Sequence, residues 1–394
     1  MKLTDTFLYH LLCKILQLPE WWMGGFHKRN PRIWVFGAWY GNSYSDNSKT
    51  MFEYVTENMP YIDAVWVTGN NAVYKDLLCE HKKVVLKGTK EAKKICGEAG
   101  YVFISNGASD VEQNYINGAR QIWLWHGMPL KTINYDNKLN DNLKAKINFL
   151  FPYNKPYRFI SVGDKWAPVF KSAFHISEKQ IIVTGLPRND NFYNKEKELL
   201  IVETKKKYNN PLIILYMPTF RDKEEKKGQS TSMFNRFGFD VDTFEEFLEK
   251  NNLFFFYKGH FFDLQNRKEE QEKSKRFVAV NDTMYSDLYS FIKDVDLLIT
   301  DYSSVYFDFL LLRKPVVLAP FDKSEYCGER EFYFDYDDIM EGVKAHNWQE
   351  VISIIEKKMY YVPKSSATCA LNKYKDGFSS QRVADFVVDD MRTF

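Results

Sequence analysis

One stretch constrains this chain more than any other: DVDLLITDYSSVYFDFLLLRKPVVLAPFD, from Asp294 to Asp322. Its first apolar run, Val295 to Thr300, has the length of a buried parallel strand. The polar turn Asp301-Tyr302-Ser303-Ser304 comes next, then apolar residues at helical spacing (Val305, Phe309, Leu312). Lys314-Pro315 stops that helix and admits a second run, Val316 to Ala319. Strand, hydroxyl-bearing turn, helix and strand make a βαβ unit, whose ligand side is the carboxyl end of its first strand. Ser303 and Ser304 fall at the helix N-terminus, where free N–H groups and the helix dipole favour phosphate. Serine and aspartate are also ordinary helix caps, so the turn counts as a site only in company.

The same alternation runs through most of the chain. Apolar runs stand at Ile33–Phe36, Ala64–Val67, Val84–Leu86, Val102–Ile104, Ile122–Trp125, Phe159–Val162 and Ile181–Thr184. A second series stands at Leu212–Tyr216, Leu253–Tyr257, Phe277–Val280, Val295–Thr300 and Val316–Ala319. Helical stretches such as Ser48–Glu57, Thr89–Ala99, Thr243–Lys250 and Trp348–Lys358 separate them. Short apolar strands alternating with helices predict an α/β protein with parallel sheets. The length, 394 residues, calls for more than one core. The expected layout is a leader over 1–31, a Rossmann-like domain over 32–195, and a charged hinge over 196–210. A second Rossmann-like domain over 211–375 follows, then a helix over 376–394 that crosses back to the first. Two such halves predict a cleft at the carboxyl ends of their strands.

Composition excludes several classes. A net charge of +2 gives no overall basic field for nucleic acid. The five cysteines are scattered and form no CxxC pair, which argues for a reducing compartment and against a zinc site or disulfide framework. No carboxylate cluster calls for a metal, and GxSxG, GxxxxGK[ST] and GxGxxG are all missing, which disfavours serine hydrolases, NTPases and dehydrogenases. No run of 18 apolar residues can span a membrane, and the N-terminal residues lack the regions of a signal peptide. The leader does carry Leu8, Leu11, Leu12 and Ile15 at helical spacing, then Trp21, Trp22, Phe26, Lys28, Arg29 and Arg32. Such a segment either lies in a membrane interface or packs on its own domain.

Polar residues with chemical potential gather at the ends of the strands. His126 follows Ile122–Trp125 and precedes Gly127-Met128-Pro129. His260 follows Leu253–Tyr257 through Lys258-Gly259, Arg188 follows Ile181–Thr184, and Arg221-Asp222 follows Leu212–Tyr216. With the Asp301–Ser304 turn, five sites occupy equivalent topological positions. Taken singly, a histidine in a glycine-bounded turn is more often a structural hydrogen bonder, and an Arg-Asp neighbour pair is often a loop ion pair. Together they suit transfer of a phosphate-bearing group: arginine and N–H groups hold anions, and a histidine takes a proton from an attacking hydroxyl.

The ordered set is more specific than its parts. Trp125-His126-Gly127-Met128-Pro129-Leu130-Lys131, Thr184-Gly185-Leu186-Pro187-Arg188-Asn189-Asp190 and Met217-Pro218-Thr219-Phe220-Arg221-Asp222 are followed by Lys258-Gly259-His260, Asp301-Tyr302-Ser303-Ser304 with Phe307-Asp308, and Lys314-Pro315. Gly37 and Asp46-Asn47-Ser48 join them in the first half. This set resembles the CDP-glycerol glycerophosphotransferase family of teichoic-acid primases and polymerases and related capsule polymerases. The resemblance covers roughly residues 32 to 380. It implies a GT-B fold and transfer of glycerol phosphate or a related polyol phosphate from CDP-glycerol or CDP-ribitol, with no further cofactor. An acceptor hydroxyl, lipid-linked or on a polyol phosphate, would attack the β-phosphorus and release CMP. His126 and His260 carry over as the catalytic pair. Arg221, Ser303 and Ser304, with Arg188, Lys258 and Arg330, carry over as donor and phosphate contacts. Asp301, Asp308 and Asp222 support them. The resemblance also implies a peripheral enzyme on the cytoplasmic face of the plasma membrane, in contact with its surface. Met128, Phe261, Glu331 and Glu341-Gly342 depart from the family's common residues, which leaves the choice of polyol open. The alternatives are a GT-B glycosyltransferase using a nucleotide sugar and a polymer-binding homologue without catalysis.

Overall fold

A computed structural model describes residues 7–138, 153–219, 233–259 and 274–394 of the chain. The chain divides into two compact units. The first takes residues 1–126, 133–191 and 373–394, and the second takes 127–132 and 192–372.

The first unit is built on a parallel sheet of β1 (Asn30–Gly37), β2 (Asp63–Thr68), β3 (Val84–Leu86), β4 (Ala99–Ile104), β5 (Arg120–Trp123), β6 (Arg158–Ser161) and β7 (Ile181–Val183). Its order is β3-β2-β1-β4-β5-β6-β7. Strands rich in Val, Ile, Phe and Trp are buried on both faces because helices cover the sheet on either side, so they read as continuous apolar runs. Phe36 and Phe103 stack at 4.6 Å across β1 and β4, whose register pairs Phe36 with Phe103.

The second unit repeats the plan with β8 (Leu212–Tyr216), β9 (Leu253–Tyr257), β10 (Phe277–Ala279), β11 (Leu297–Thr300), β12 (Val316–Leu318) and β13 (Val343–Lys344). Its order is β10-β9-β8-β11-β12-β13, all parallel. Phe234, Phe244, Phe255, Phe277 and Trp348 fill one face, with Phe234 stacked on Trp348 at 4.9 Å. The heavy aromatic content is therefore core material here. In each sheet the order reverses between two central strands, β1 and β4 in the first, β8 and β11 in the second. Ligands of open α/β sheets bind in the crevice that such a reversal creates.

One expectation about local structure changes. The segment 196–210, expected as a hinge, holds a helix, Leu199–Lys207, and belongs to the second unit. Charge there is used for docking: Lys197 pairs with Asp294 at 2.8 Å, and the Glu198 N–H donates to Asp294 at 2.7 Å. Ser286 in turn donates through Oγ to Glu198 at 2.6 Å. The leader forms a helix, Phe7–Gly24, that packs along one face on its own unit. Trp21 meets Tyr153 edge to face at 6.0 Å, Asn114 donates to Glu20 at 2.8 Å, and Arg29 donates to the carbonyls of Gly24 and Cys96 at 2.7 Å. The opposite face leaves Leu16 at 76% exposure and Trp22 at 64%. None of the helices among the described residues is long and apolar enough to cross a membrane.

The Ser379–Met391 helix belongs to the first unit. Its Asp390 accepts hydrogen bonds from Tyr157 and Arg120 at 2.6 Å each and from Tyr101 at 2.9 Å.

Candidate functional site

Each unit carries its own group of polar residues on the carboxyl side of its sheet. In the first unit the centre is His126. The chain leaves β5 through Trp125, which is held at φ +57°, and enters Gly127 at φ +139°. A bulky residue in the left-handed region is costly and persists only where its surroundings fix it. Asn47 supplies that fixing, because its Nδ2 donates to the carbonyls of Trp125 at 2.8 Å and Leu124 at 3.3 Å. Asn47 Oδ1 accepts from the Arg188 N–H at 3.1 Å. Arg188 Nη1 donates to the His126 carbonyl and to Asp46, both at 2.8 Å. This Asp46–Arg188 pair is buried, its side chains 7% and 5% exposed. Ser48 and Ser105 join hydroxyls at 2.8 Å beneath it.

The imidazole is oriented by this frame. His126 Nδ1 lies 3.1 Å from the Ser105 carbonyl, and the ring packs 4.0 Å from Trp125. A carbonyl can only accept, so Nδ1 carries the proton and Nε2 presents its lone pair. Burial lowers the His126 pKa below its ordinary value and Arg188 adds to that, against the opposing pull of Asp46 and the Ser105 carbonyl. The ring is thus a neutral imidazole near pH 7, with a defined tautomer.

Asp110, which sequence reasoning passed over, shapes the surrounding loop. Its buried carboxylate accepts from the N–H of Ser105 at 2.9 Å and Asn106 at 2.7 Å after β4, and from Tyr40 at 2.7 Å after β1. It therefore ties the two strands that flank the reversal of order. Gly37 is required beside it, since a Cβ there would lie 2.6 Å from the Asp110 carbonyl oxygen. The only signal in the sequence was an acidic residue a few positions past a strand.

In the second unit Asp301 has the matching place. It accepts from the Thr219 N–H after β8 at 2.8 Å and from the Tyr302 N–H at 2.5 Å. Tyr302 stacks on Tyr326 at 4.2 Å, and its hydroxyl donates to Asp322 at 3.0 Å, so the turn is held on both sides. Ser303 and Ser304 are half-buried at the start of the Val305–Phe309 helix, and the Ser304 hydroxyl makes no capping bond to it. Asp308 is buried and accepts from the Tyr289 hydroxyl at 3.1 Å.

Lys258 sits past β9 and pairs with Asp282 at 2.8 Å. Burial works to raise the Asp282 carboxyl, but the Lys258 ammonium and the Tyr285 hydroxyl outweigh it and leave it below the usual value. Gly259 follows because a Cβ there would collide with the Tyr257 hydroxyl at 2.1 Å. Arg330 ends the Lys323–Glu329 helix, its N–H on the Tyr326 carbonyl at 2.9 Å. The next residues pair with the segment after His126: Thr132 N–H donates to Glu331, and Tyr333 N–H to Leu130, each at 2.9 Å. His260, Arg221 and Asp222 lie outside the described residues.

The structure therefore joins His126 to Arg188 in the first unit, while Lys258, Asp301, Ser303, Ser304, Asp308 and Arg330 belong to the second, each with its own partners. Other motif residues turn out to dock elements. Asp190 accepts from the N–H groups of Ser379 and Ser380 at 2.8 and 2.7 Å, and Lys314 donates to the carbonyls of Lys293 and Val295 at 2.6 and 2.7 Å.

Two parallel α/β units, each with polar residues at its reversal of strand order, make a fold of the GT-B class. A solved variant of the wall teichoic acid polymerase TagF has the same fold, at a TM-score of 0.75 and 22% identity over 98% of this chain and 97% of that one. The chain belongs to the CDP-glycerol:poly(glycerophosphate) glycerophosphotransferase family, whose profile matches residues 24–389. It is 28% identical to a teichoic acid glycerol-phosphate transferase of Staphylococcus aureus over 381 residues, 91% of this chain and 93% of the relative. It is 26% identical to the teichoic acid ribitol-phosphate polymerase TarL of the same organism, covering 86% of this chain but 60% of that longer protein.

Proposed function

We propose that this protein transfers glycerol phosphate from CDP-glycerol to a hydroxyl of a wall-polymer acceptor and releases CMP. The observation that carries the reading is the neutral His126 ring, held through Nδ1 on the Ser105 carbonyl with Nε2 left as base. The acceptor O–H gives its proton to Nε2 while its oxygen bonds to the β-phosphorus. The bond from that phosphorus to the bridging oxygen breaks, and the bridging oxygen leaves on CMP. Charge grows on the phosphoryl oxygens and on the leaving oxygen as this happens, so hydroxyl and cationic donors placed there lower the barrier. Ser303, Ser304, Lys258 and Arg330 are assigned to that work, joined through the sequence motifs by Arg221 and His260. Arg188 is assigned to holding the His126 loop. Asp301, Asp308 and Asp222 are assigned to supporting the loops that present the anion contacts. The scheme is complete without a metal, and protein treated with EDTA is expected to keep its rate.

CMP release by the purified protein with CDP-glycerol and a short polyol-phosphate acceptor tests the reading. Acceptor-dependent release that His126→Ala abolishes supports it. Turnover of CDP-ribitol in preference to CDP-glycerol would change the polyol, and turnover of a sugar nucleotide alone would overturn the reaction class.

The acceptor is proposed to be lipid-linked and to be met at the cytoplasmic membrane surface. The exposed face of the Phe7–Gly24 helix supports this, for Leu12, Leu16, Trp22 and Met23, continued by Phe26, present apolar and aromatic groups away from the packed face. Flotation with anionic vesicles should be lost in a Leu16→Glu/Trp22→Glu variant, and undiminished flotation would reduce the helix to a packing element.

A further inference from the structure

A cavity of about 360 Å³ opens in the first unit beside β5, the strand that leads to His126. It is lined by Asn106, which follows the Ser105 that orients His126, and by Trp123, two residues before the Trp125 that packs on the imidazole. Trp123 and Phe174 make one aromatic wall, edge to face at 5.6 Å, and Tyr135 and His175 make another, stacked at 3.7 Å. The polar groups between these walls are incompletely used. Asn106 Oδ1 is buried with no hydrogen-bond partner among the described residues. Asn154 spends its Oδ1 on the Ala108 N–H at 2.9 Å, which leaves its amide NH2 to a ligand. The Lys155 ammonium stands exposed at the rim.

A buried acceptor without a donor costs free energy until a ligand hydroxyl fills it, so a purely apolar ligand does not suit this cavity. One ammonium beside amides and ring faces suits a single phosphate on a body of C–H and O–H groups. We propose that the cavity is an acceptor subsite that takes a phosphorylated, polyhydroxylated unit, the part of the acceptor next to its attacking hydroxyl. The proposal rests on the transfer reading, since a base at His126 Nε2 requires the attacking hydroxyl to reach the first unit. The rest of that molecule then lies along the neighbouring surface of the same unit. Tyr135 and a phenylalanine face give the C–H side of the polyol or sugar its platform, Asn106 and Asn154 read hydroxyls, and Lys155 holds the phosphate.

Tyr135→Ala and Lys155→Ala change exposed side chains and should leave the fold intact. Each is expected to raise the KM for a short poly(glycerol phosphate) acceptor about tenfold while kcat and the KM for CDP-glycerol change less than twofold. Lys171→Ala, an exposed lysine outside the cavity, serves as the charge control. Binding of a glycerol phosphate dimer and of a hexose 1-phosphate, measured by titration calorimetry without donor, separates the polyol from the sugar. It reads the subsite even if the donor assay fails. Weakened binding of either probe in both variants supports the subsite. Unchanged acceptor KM and unchanged binding in both variants would overturn it, whatever the donor assay shows.

Discussion

His126 shows how much one side chain's chemistry depends on neighbours far away in sequence. Its proton is placed by Ser105, its loop by Asn47 and Arg188, and its charge balance by Asp46. His126→Ala is expected to cost on the order of 100-fold or more in kcat, read from CMP release. The pH profile follows from the direction of the shift. The base form exists above the pKa, and burial holds that pKa below the ordinary 6.5. The value of kcat/KM should therefore stay level as pH falls to 6.5, then drop at more acid pH; an acid limb centred above pH 7 would contradict the scheme. Linkage has the same sign. The unfolded chain takes up this proton first, so the group's contribution to stability is lost as pH falls below 6.5. Breaking the buried pair by Asp46→Asn removes the carboxylate that Arg188 Nη1 bonds at 2.8 Å and should cost about 3 kcal/mol in urea unfolding. The histidine was legible in the sequence because a glycine turn follows an apolar run. Its frame was not, because Asp46 and Arg188 are 142 positions apart and nothing local marks them as partners.

At the scale of elements, a repeated device holds the loops on which the polar residues sit. A carboxylate crosses the reversal of strand order in each sheet, Asp110 from β4 to β1 and Asp301 from β11 to β8. Asp110→Ala strands several amide N–H groups, and at about 1 kcal/mol or more apiece should destabilise the first unit by about 3 kcal/mol. The rate should fall with it, because Ser105 no longer fixes the imidazole; a variant with lowered melting temperature but full kcat would separate the two effects. Strands were easily read, since apolar runs such as Leu212–Tyr216 and Leu253–Tyr257 match β8 and β9 residue for residue. The two-residue strand β13 was too short to leave a pattern. The charged 196–210 stretch misled because its amphipathic signal is weak and its lysines and Glu198 are engaged by residues nearly a hundred positions on.

The whole molecule is two units threaded by one chain, and the chain passes between them after His126, Thr132, Asn191 and Asn372. The first unit is completed by residues 373–394, where Val383, Ala384 and Val387 are buried and Asp190 caps the helix. Asp190→Ala should cost about 1–2 kcal/mol as the loss of such a cap, seen in thermal unfolding. The alternation of strands and helices announced two parallel sheets, but no local pattern showed that the Gly127–Thr132 part of the His126 motif belongs to the other unit. Its pairing with residues 331–333 spans about two hundred positions. That threading also sets an order in time. A ribosome adding about 5–20 residues per second delivers every strand of the first sheet well before it delivers the helix that closes it. Residues 192–372 of the second unit are made in the interval. During that wait Tyr101, Tyr157 and Arg120 have no Asp390 to bind, so the nascent first unit stays unfinished until the ribosome has passed residue 391.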